Sequence, residues 1–151
     1  MSLVASGMTL VELLVVLGII GLILGISVPG LSAYANQARL KAATRNVVGL
    51  LSLARSFAIS SHQDHAVIVD PVQRRITVEN AVSGDTLEQT VQLPPSIDVE
   101  TEVAGESAQE ARVIFRPTGS LAGRTTTIRL ADRDKSHTIT VSGITGAVTV
   151  E

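Results

Sequence analysis

The chain has 151 residues, 45% of them hydrophobic, with 12 Lys plus Arg against 14 Asp plus Glu for a formal net charge of −2. That describes one folded domain, or a small domain with an appended segment, and excludes a disordered chain and most large multidomain enzymes. The net charge of −2 removes the broad positive charge that nucleic-acid binders use, while 2% aromatics and no cysteine leave an aliphatic core and exclude disulfides and Cys-based zinc sites.

The first element predicted is an apolar helix. Met8 to Val28 reads MTLVELLVVLGIIGLILGISV, with Glu12 as its only ionisable side chain, and the next charge is Arg39. Such a run reaches about 31 Å as a helix, close to the roughly 30 Å of a bilayer's hydrocarbon core. Gly18, Gly21 and Gly25 recur at helical spacing, and Gly21 to Gly25 is a small-xxx-small pair that lets another helix approach closely. Glu12 needs a reason, because a carboxylate in hydrocarbon costs on the order of 2.5 to 3.5 kcal/mol. It is protonated, interfacial, or met by a cation from a partner. A secretory signal cut after Ala33-Tyr34-Ala35 fits poorly, since the apolar run is too long, contains Glu12 and lacks a basic n-region.

Gly7 followed by Met8-Thr9-Leu10-Val11-Glu12-Leu13-Leu14-Val15-Val16 resembles the processing site of type IV pilins and type II secretion pseudopilins. The resemblance implies a leader over residues 1–7, cleavage between Gly7 and Met8 by a prepilin peptidase, and N-methylation of Met8. It implies that Glu12 pairs with the N-terminal amine of a neighbouring subunit during filament assembly, and that Pro29 is where the long helix kinks. It further implies a single-pass subunit of the bacterial inner membrane with a periplasmic C-terminal domain. An assembly platform in that membrane would draw it into a periplasmic or surface filament with other pilins or pseudopilins. Read alone, the positive-inside rule would put Arg39, Lys41 and Arg45 in the cytoplasm, so the orientation rests on the resemblance. The chain has Met8 where the class usually has Phe, and residues 1–7 carry no Lys or Arg.

Residues 29–61 continue the helix as an amphipathic segment. Leu31, Ala35, Ala38, Ala42, Leu50 or Leu51, Ala54 and Phe57 or Ala58 recur near a 3.6-residue period, a stripe expected to lie on a sheet. Residues 62–151 read as seven to eight short strands: Ala66–Val69, Arg75–Val78, Thr90–Leu93, Ile97–Val103, Val113–Phe115, Thr126–Leu130, His137–Val141 and Ala147–Val150. Breakers separate them, and Ser142-Gly143-Ile144-Thr145-Gly146 is expected to close a C-terminal hairpin. The predicted class is α+β, a long N-terminal helix packed on an antiparallel β domain.

Leu50 to Ile59 followed by His65 to Val69, and Val113 to Gly119 with Ile139 to Val148, resemble H-type minor pseudopilins and the related T- and U-type minor pilins. In these families a helix is laid against two sheets, and the protein is a low-abundance filament subunit.

The remaining features separate competing functions. From Glu79 to Glu110 there are eight acidic residues and no basic one, whereas Arg112 to Lys135 holds Arg112, Arg116, Arg124, Arg129, Arg133 and Lys135 against Asp132 and Asp134. The two regions can pair within a molecule or between neighbours. Asp98, Glu100 and Glu102 share one face of a strand, a solvated row by preference over a calcium site. Some T-type minor pilins bind DNA through a basic C-terminal motif, but this chain ends Gly146-Ala147-Val148-Thr149-Val150-Glu151, which argues against DNA. His62 and His65 lack a third metal ligand, and no nucleophile, phosphate-binding or dinucleotide motif is present. No catalytic residue, metal, cofactor or small-molecule substrate is expected. The leading reading is a minor pilin or pseudopilin; the alternatives are a DNA-binding minor pilin and an anchored periplasmic binding domain that does not polymerise.

Overall fold

A computed structural model describes residues 8–151 except Asp134, with the side chains of 26–33, Leu87 and Glu88 outside the description. One helix, α1 (Leu10–Ser61), precedes nine strands. The chain divides into two compact units, Met1–Asn36 and Gln37–Glu151.

In the first unit α1 is apolar on every side: Leu10, Val11, Leu13, Leu14, Leu17, Ile20, Leu22 and Leu24 are all exposed. Among the described residues no helix is long and apolar enough to cross a membrane; the apolar run of the sequence continues from the described side chains into the 26–33 stretch. Helical backbone spans position 29, but Pro29, the expected kink, lies outside the described side chains.

In the second unit the helix buries Leu40, Ala43, Thr44, Val47, Leu50, Leu51, Ala54 and Ala58. This corrects the expected stripe. Ala38 and Ala42 are exposed, Phe57 is only half-buried where Ala58 is fully so, and Leu31 lies outside the described side chains. The large side chains Leu40, Val47 and Leu51 set the phase, because burying a branched aliphatic gains far more than burying a methyl group. Alanines fit either face and are a poor guide to which one is covered.

The strands are β1 (His65–Asp70), β2 (Arg75–Asn80), β3 (Thr86–Gln92), β4 (Asp98–Val103), β5 (Glu106–Ala108), β6 (Ala111–Phe115), β7 (Thr126–Asp132), β8 (Lys135–Val141) and β9 (Val148–Val150). They form two antiparallel sheets of order β3-β2-β1-β6 and β5-β4-β7-β8-β9. Period-two burial faces Val67, Val69, Ile76, Val78, Val113 and Phe115 of the first sheet into the core, and Ile128, Leu130, Ile139 and Val141 of the second. Phe115 is the one fully buried aromatic side chain among the described residues, so the core is aliphatic as the composition requires.

Nine strands stand where seven to eight were expected. The additional strand, β5, carries no apolar run; it is held by pairing with β4 across the two-residue turn Ala104-Gly105, whose φ values of 57° and 86° are those of a tight hairpin turn. β3 begins at Thr86, four residues before its expected start, and Leu93 lies beyond it with its N–H on the Arg74 carbonyl at 2.8 Å. The C-terminal hairpin forms as expected, β8 pairing with β9 around the Gly143–Gly146 turn.

Candidate assembly helix and surfaces of the β domain

The helix start is built by three residues. Thr9 sits just before α1, its Oγ1 accepts the Glu12 backbone N–H at 3.2 Å, and its carbonyl accepts the Leu13 N–H at 3.1 Å. Thr9 is therefore the N-cap and Glu12 the third helical residue, the Thr-x-x-Glu spacing of a capping box. That spacing is legible in the sequence as a helix start, and the reading of the apolar run leaves it unused. Glu12 is exposed, lies in the first turn where the helix dipole favours an acid, and its carboxylate makes no hydrogen bond or ion pair among the described residues. Met8 is exposed; Gly7 lies outside the described residues. Among the described residues, a Cβ added at Gly18, Gly21 or Gly25 would meet nothing within 4 Å.

The β domain is tied to its helix by two polar attachments that no local sequence signal announces. Thr44 donates its hydroxyl to the Leu40 carbonyl at 2.9 Å and accepts Nδ1–H of His137 at 2.9 Å, joining α1 to β8. Arg55 reaches the turn before β9, donating to the carbonyls of Gly146 at 3.3 Å and Thr145 at 3.2 Å. The same turn meets the Pro117-Thr118-Gly119 segment so closely that a Cβ on Gly146 would stand 2.5 Å from the Gly119 oxygen. The motifs ending at Gly119 and containing Gly146, distant in sequence, thus form one structural junction around Arg55.

The histidines are structural. His62 follows the last helical residue with φ of 56°, the left-handed position that ends many helices. His65 is buried at the start of β1, donates Nδ1–H to the Gln63 carbonyl at 3.0 Å and stacks on Phe57 with ring centroids 5.9 Å apart. Among the described residues no group of three His, Asp or Glu side chains is placed to hold a metal.

Acidic and basic segments pair within the molecule: Arg112 with Glu79 at 2.7 Å and Arg129 with Glu100 at 3.3 Å. Two of the six cations between Arg112 and Lys135 are thereby paired. Asp98, Glu100 and Glu102 share the exposed face of β4, as the alternation predicts. On the first sheet a polar groove of about 400 Å³ is lined in part by Asp70, Arg75, Thr77, Glu79, Thr90 and Glu110. One buried carboxyl group stands apart: Asp132 is 6% exposed, and among the described residues neither of its oxygens has a partner.

A search of curated protein sequences finds no match. Among solved structures, the minor pseudopilin EpsH of the type 2 secretion system of Vibrio cholerae is similar, with a TM-score of 0.61 and 18% identity over 75% of this chain and 96% of that one. The type IV minor pilin FimU of Pseudomonas aeruginosa is similar too, with a TM-score of 0.61 and 15% identity over 78% of this chain and 92% of that one. At these identities the likeness establishes the fold, a helix on two antiparallel sheets. The family model described as type II transport protein GspH matches residues 43–146, the helix from its buried stripe to the Arg55–Gly146 junction. The chain therefore belongs to the GspH family, the minor pseudopilins of type II secretion and the related minor pilins.

Proposed function

We propose that this minor pseudopilin or minor pilin works by assembly through its N-terminal helix. Prepilin peptidase cuts between Gly7 and Met8, the Met8 amine is methylated, and residues 8–28 hold the subunit in the bacterial inner membrane with its β domain in the periplasm. An inner-membrane platform then draws it into a type II secretion pseudopilus or a type IV pilus, where the apolar helix packs among those of other pilins. Glu12 is neutralised there by the amine of an adjacent subunit, and Gly18, Gly21 and Gly25 allow close helix approach. The β domain presents its polar faces outward.

The observation that carries this reading is the contrast along one helix. From Gln37 onward α1 buries a defined stripe in its own domain, whereas Leu10 at 79% and Leu22 at 67% exposure belong to a stretch that is apolar all round. A helix of that kind requires surroundings supplied by lipid or by other helices. Glu12, unpaired among the described residues, then needs a cation from outside the chain. The test is Glu12→Ala in cells carrying the machinery, with the processed N-terminus read by mass spectrometry and incorporation read by immunoblot of sheared filaments. The variant is expected to be processed and inserted normally yet to enter filaments poorly. Equal incorporation would remove the assembly role of Glu12, and an unprocessed chain would leave an anchored domain that does not polymerise.

A further inference from the structure

We infer that five cations at one end of the β domain, Arg39, Lys41 and Arg45 on α1 with Arg133 and Lys135 at the β7–β8 hairpin, form a collar that docks the unassembled subunit on the anionic headgroups of its own membrane; this rests on the membrane anchoring in the reading above. Two attachments fix where these residues stand. Thr44 meets His137 and Arg55 meets Thr145 and Gly146, so β8 runs alongside α1 in the same direction. Lys135 precedes His137 by two strand residues, about 7 Å, and four to five helical residues before Thr44 cover about the same distance. The hairpin tip, where Asp132 stands in register with Lys135, therefore lies at the level of Arg39 and Leu40.

All five residues are exposed, and none pairs with a carboxylate among the described residues, in contrast to Arg112 and Arg129. The described acids at that end of the second sheet are Asp132, which is buried, and Asp98, on the outer face of β4 opposite Ala131. On the first sheet, whose Phe115 end lies at the Gly146 junction, the opposite end balances Arg74 and Arg75 against Asp70 and Glu110. Helix residues turn by about 100° each, so Arg39 and Lys41 fall on opposite flanks of the buried stripe and Arg45 on the solvent side, while the hairpin covers the remaining side. A partner chain touches one side of a domain, and charge, lysine included, is depleted at the centre of such contacts. Here the exposed residues between the helix cations are Gln37, Ala38, Ala42 and Asn46, and the cations spread round the axis at one level. That arrangement suits a charged plane crossing the axis. The apolar run Met8 to Val28 supplies one: Arg39 is the first charge after Glu12 and follows Val28 by about 16 Å of helix. Headgroups of roughly 6 Å and a Debye length of about 8 Å cover most of that span, and the long side chains reach across the rest. The collar thus gives a use to positive charge that the positive-inside rule alone would place in the cytoplasm.

The experiment uses the full chain reconstituted in vesicles that carry a quencher on their headgroups. Cysteine is absent, so Ser136→Cys beside the hairpin tip and Ile144→Cys at the other end of the domain each take a single fluorescent label at an exposed position. Quenching of the label at position 136 reads the docked fraction. It is expected to be strong when about a third of the lipid is phosphatidylglycerol, weak in pure phosphatidylcholine, and lost at about 1 M salt, where the Debye length falls to about 3 Å. The label at position 144 is expected to stay unquenched throughout. One cation near a charged surface shifts such an equilibrium about fivefold, so Arg133→Gln with Lys135→Gln, and separately Arg39→Gln with Lys41→Gln, are each expected to lower the docked-to-free ratio at least about fivefold. Equal quenching in the two lipids, or variants that quench like the parent, would overturn the inference. Quenching that rises with the number of chains per vesicle would overturn it too, because the cations would then face a neighbouring copy. Failure of the anchoring has a different signature: the full chain floats with neither kind of vesicle.

Discussion

Gly146→Ala tests whether the junction between the helix and the two loop motifs holds the domain together. Gly146 has φ of 65°, and a Cβ there would stand 2.5 Å from the Gly119 oxygen and 3.4 Å from Phe115 Cε1. The left-handed backbone alone costs an alanine about 1 kcal/mol. The contact with a backbone oxygen cannot be relieved by a side-chain rotation, so the turn must move away from Gly119. Moving it breaks the Arg55 bonds to Thr145 and Gly146, each worth about 1 kcal/mol. The expected loss is therefore roughly 3 kcal/mol. Gly105→Ala is the control, since Gly105 has φ of 86° but nothing within 4 Å of an added Cβ, and should lose only about 1 kcal/mol. Urea unfolding of the Gln37–Glu151 unit measures both, and a gap of about 2 kcal/mol separates the midpoints by roughly 1 to 2 M. Equal midpoints would refute the argument, showing that the close approach of the two turns contributes nothing.

Three further substitutions probe particular contacts. Asp132→Val replaces a buried carboxyl group that has no partner among the described residues by a strand-forming aliphatic and is expected to raise the melting temperature, with Asp132→Asn gaining less; a lower melting temperature for Asp132→Val would mean that the carboxyl group is satisfied in solution. Thr44→Val removes the attachment of α1 to His137 and strands a donor, for an expected loss of about 1 to 3 kcal/mol in urea unfolding, whereas Thr44→Ser should lose less than 1 kcal/mol, or about half as much at most. Ala104→Asn gives the β4–β5 hairpin an Asn-Gly turn suited to its left-handed residues and is expected to add about 0.5 kcal/mol; a loss of stability would show that the turn is not of that type.

The fold was legible wherever one physical preference dominated. Eight of the nine strands follow from β-branched runs between breakers, and the C-terminal hairpin follows from its Ser-Gly-Ile-Thr-Gly turn. β5 was not legible because Glu106-Ser107-Ala108 has no apolar signal of its own; only its pairing with β4 makes it a strand. The helix face is not legible at Ala38 and Ala42 because alanine has too little surface to choose a side, while Leu40 and Val47 carry the information. Contacts across about 90 residues, Thr44 to His137 and Arg55 to Gly146, leave no local trace at all, although Gly119 and Gly146 stand out as turn glycines.

The assembly segment reverses this order, because its sequence says more than the folded chain does. A packed domain explains its residues by their neighbours, and the described residues offer few to positions 8–25: no described atom lies within 4 Å of a Cβ added at the three glycines, the leucines are exposed, and the Glu12 carboxylate is unpaired among the described residues. Their composition makes sense only against an environment that the chain does not itself provide.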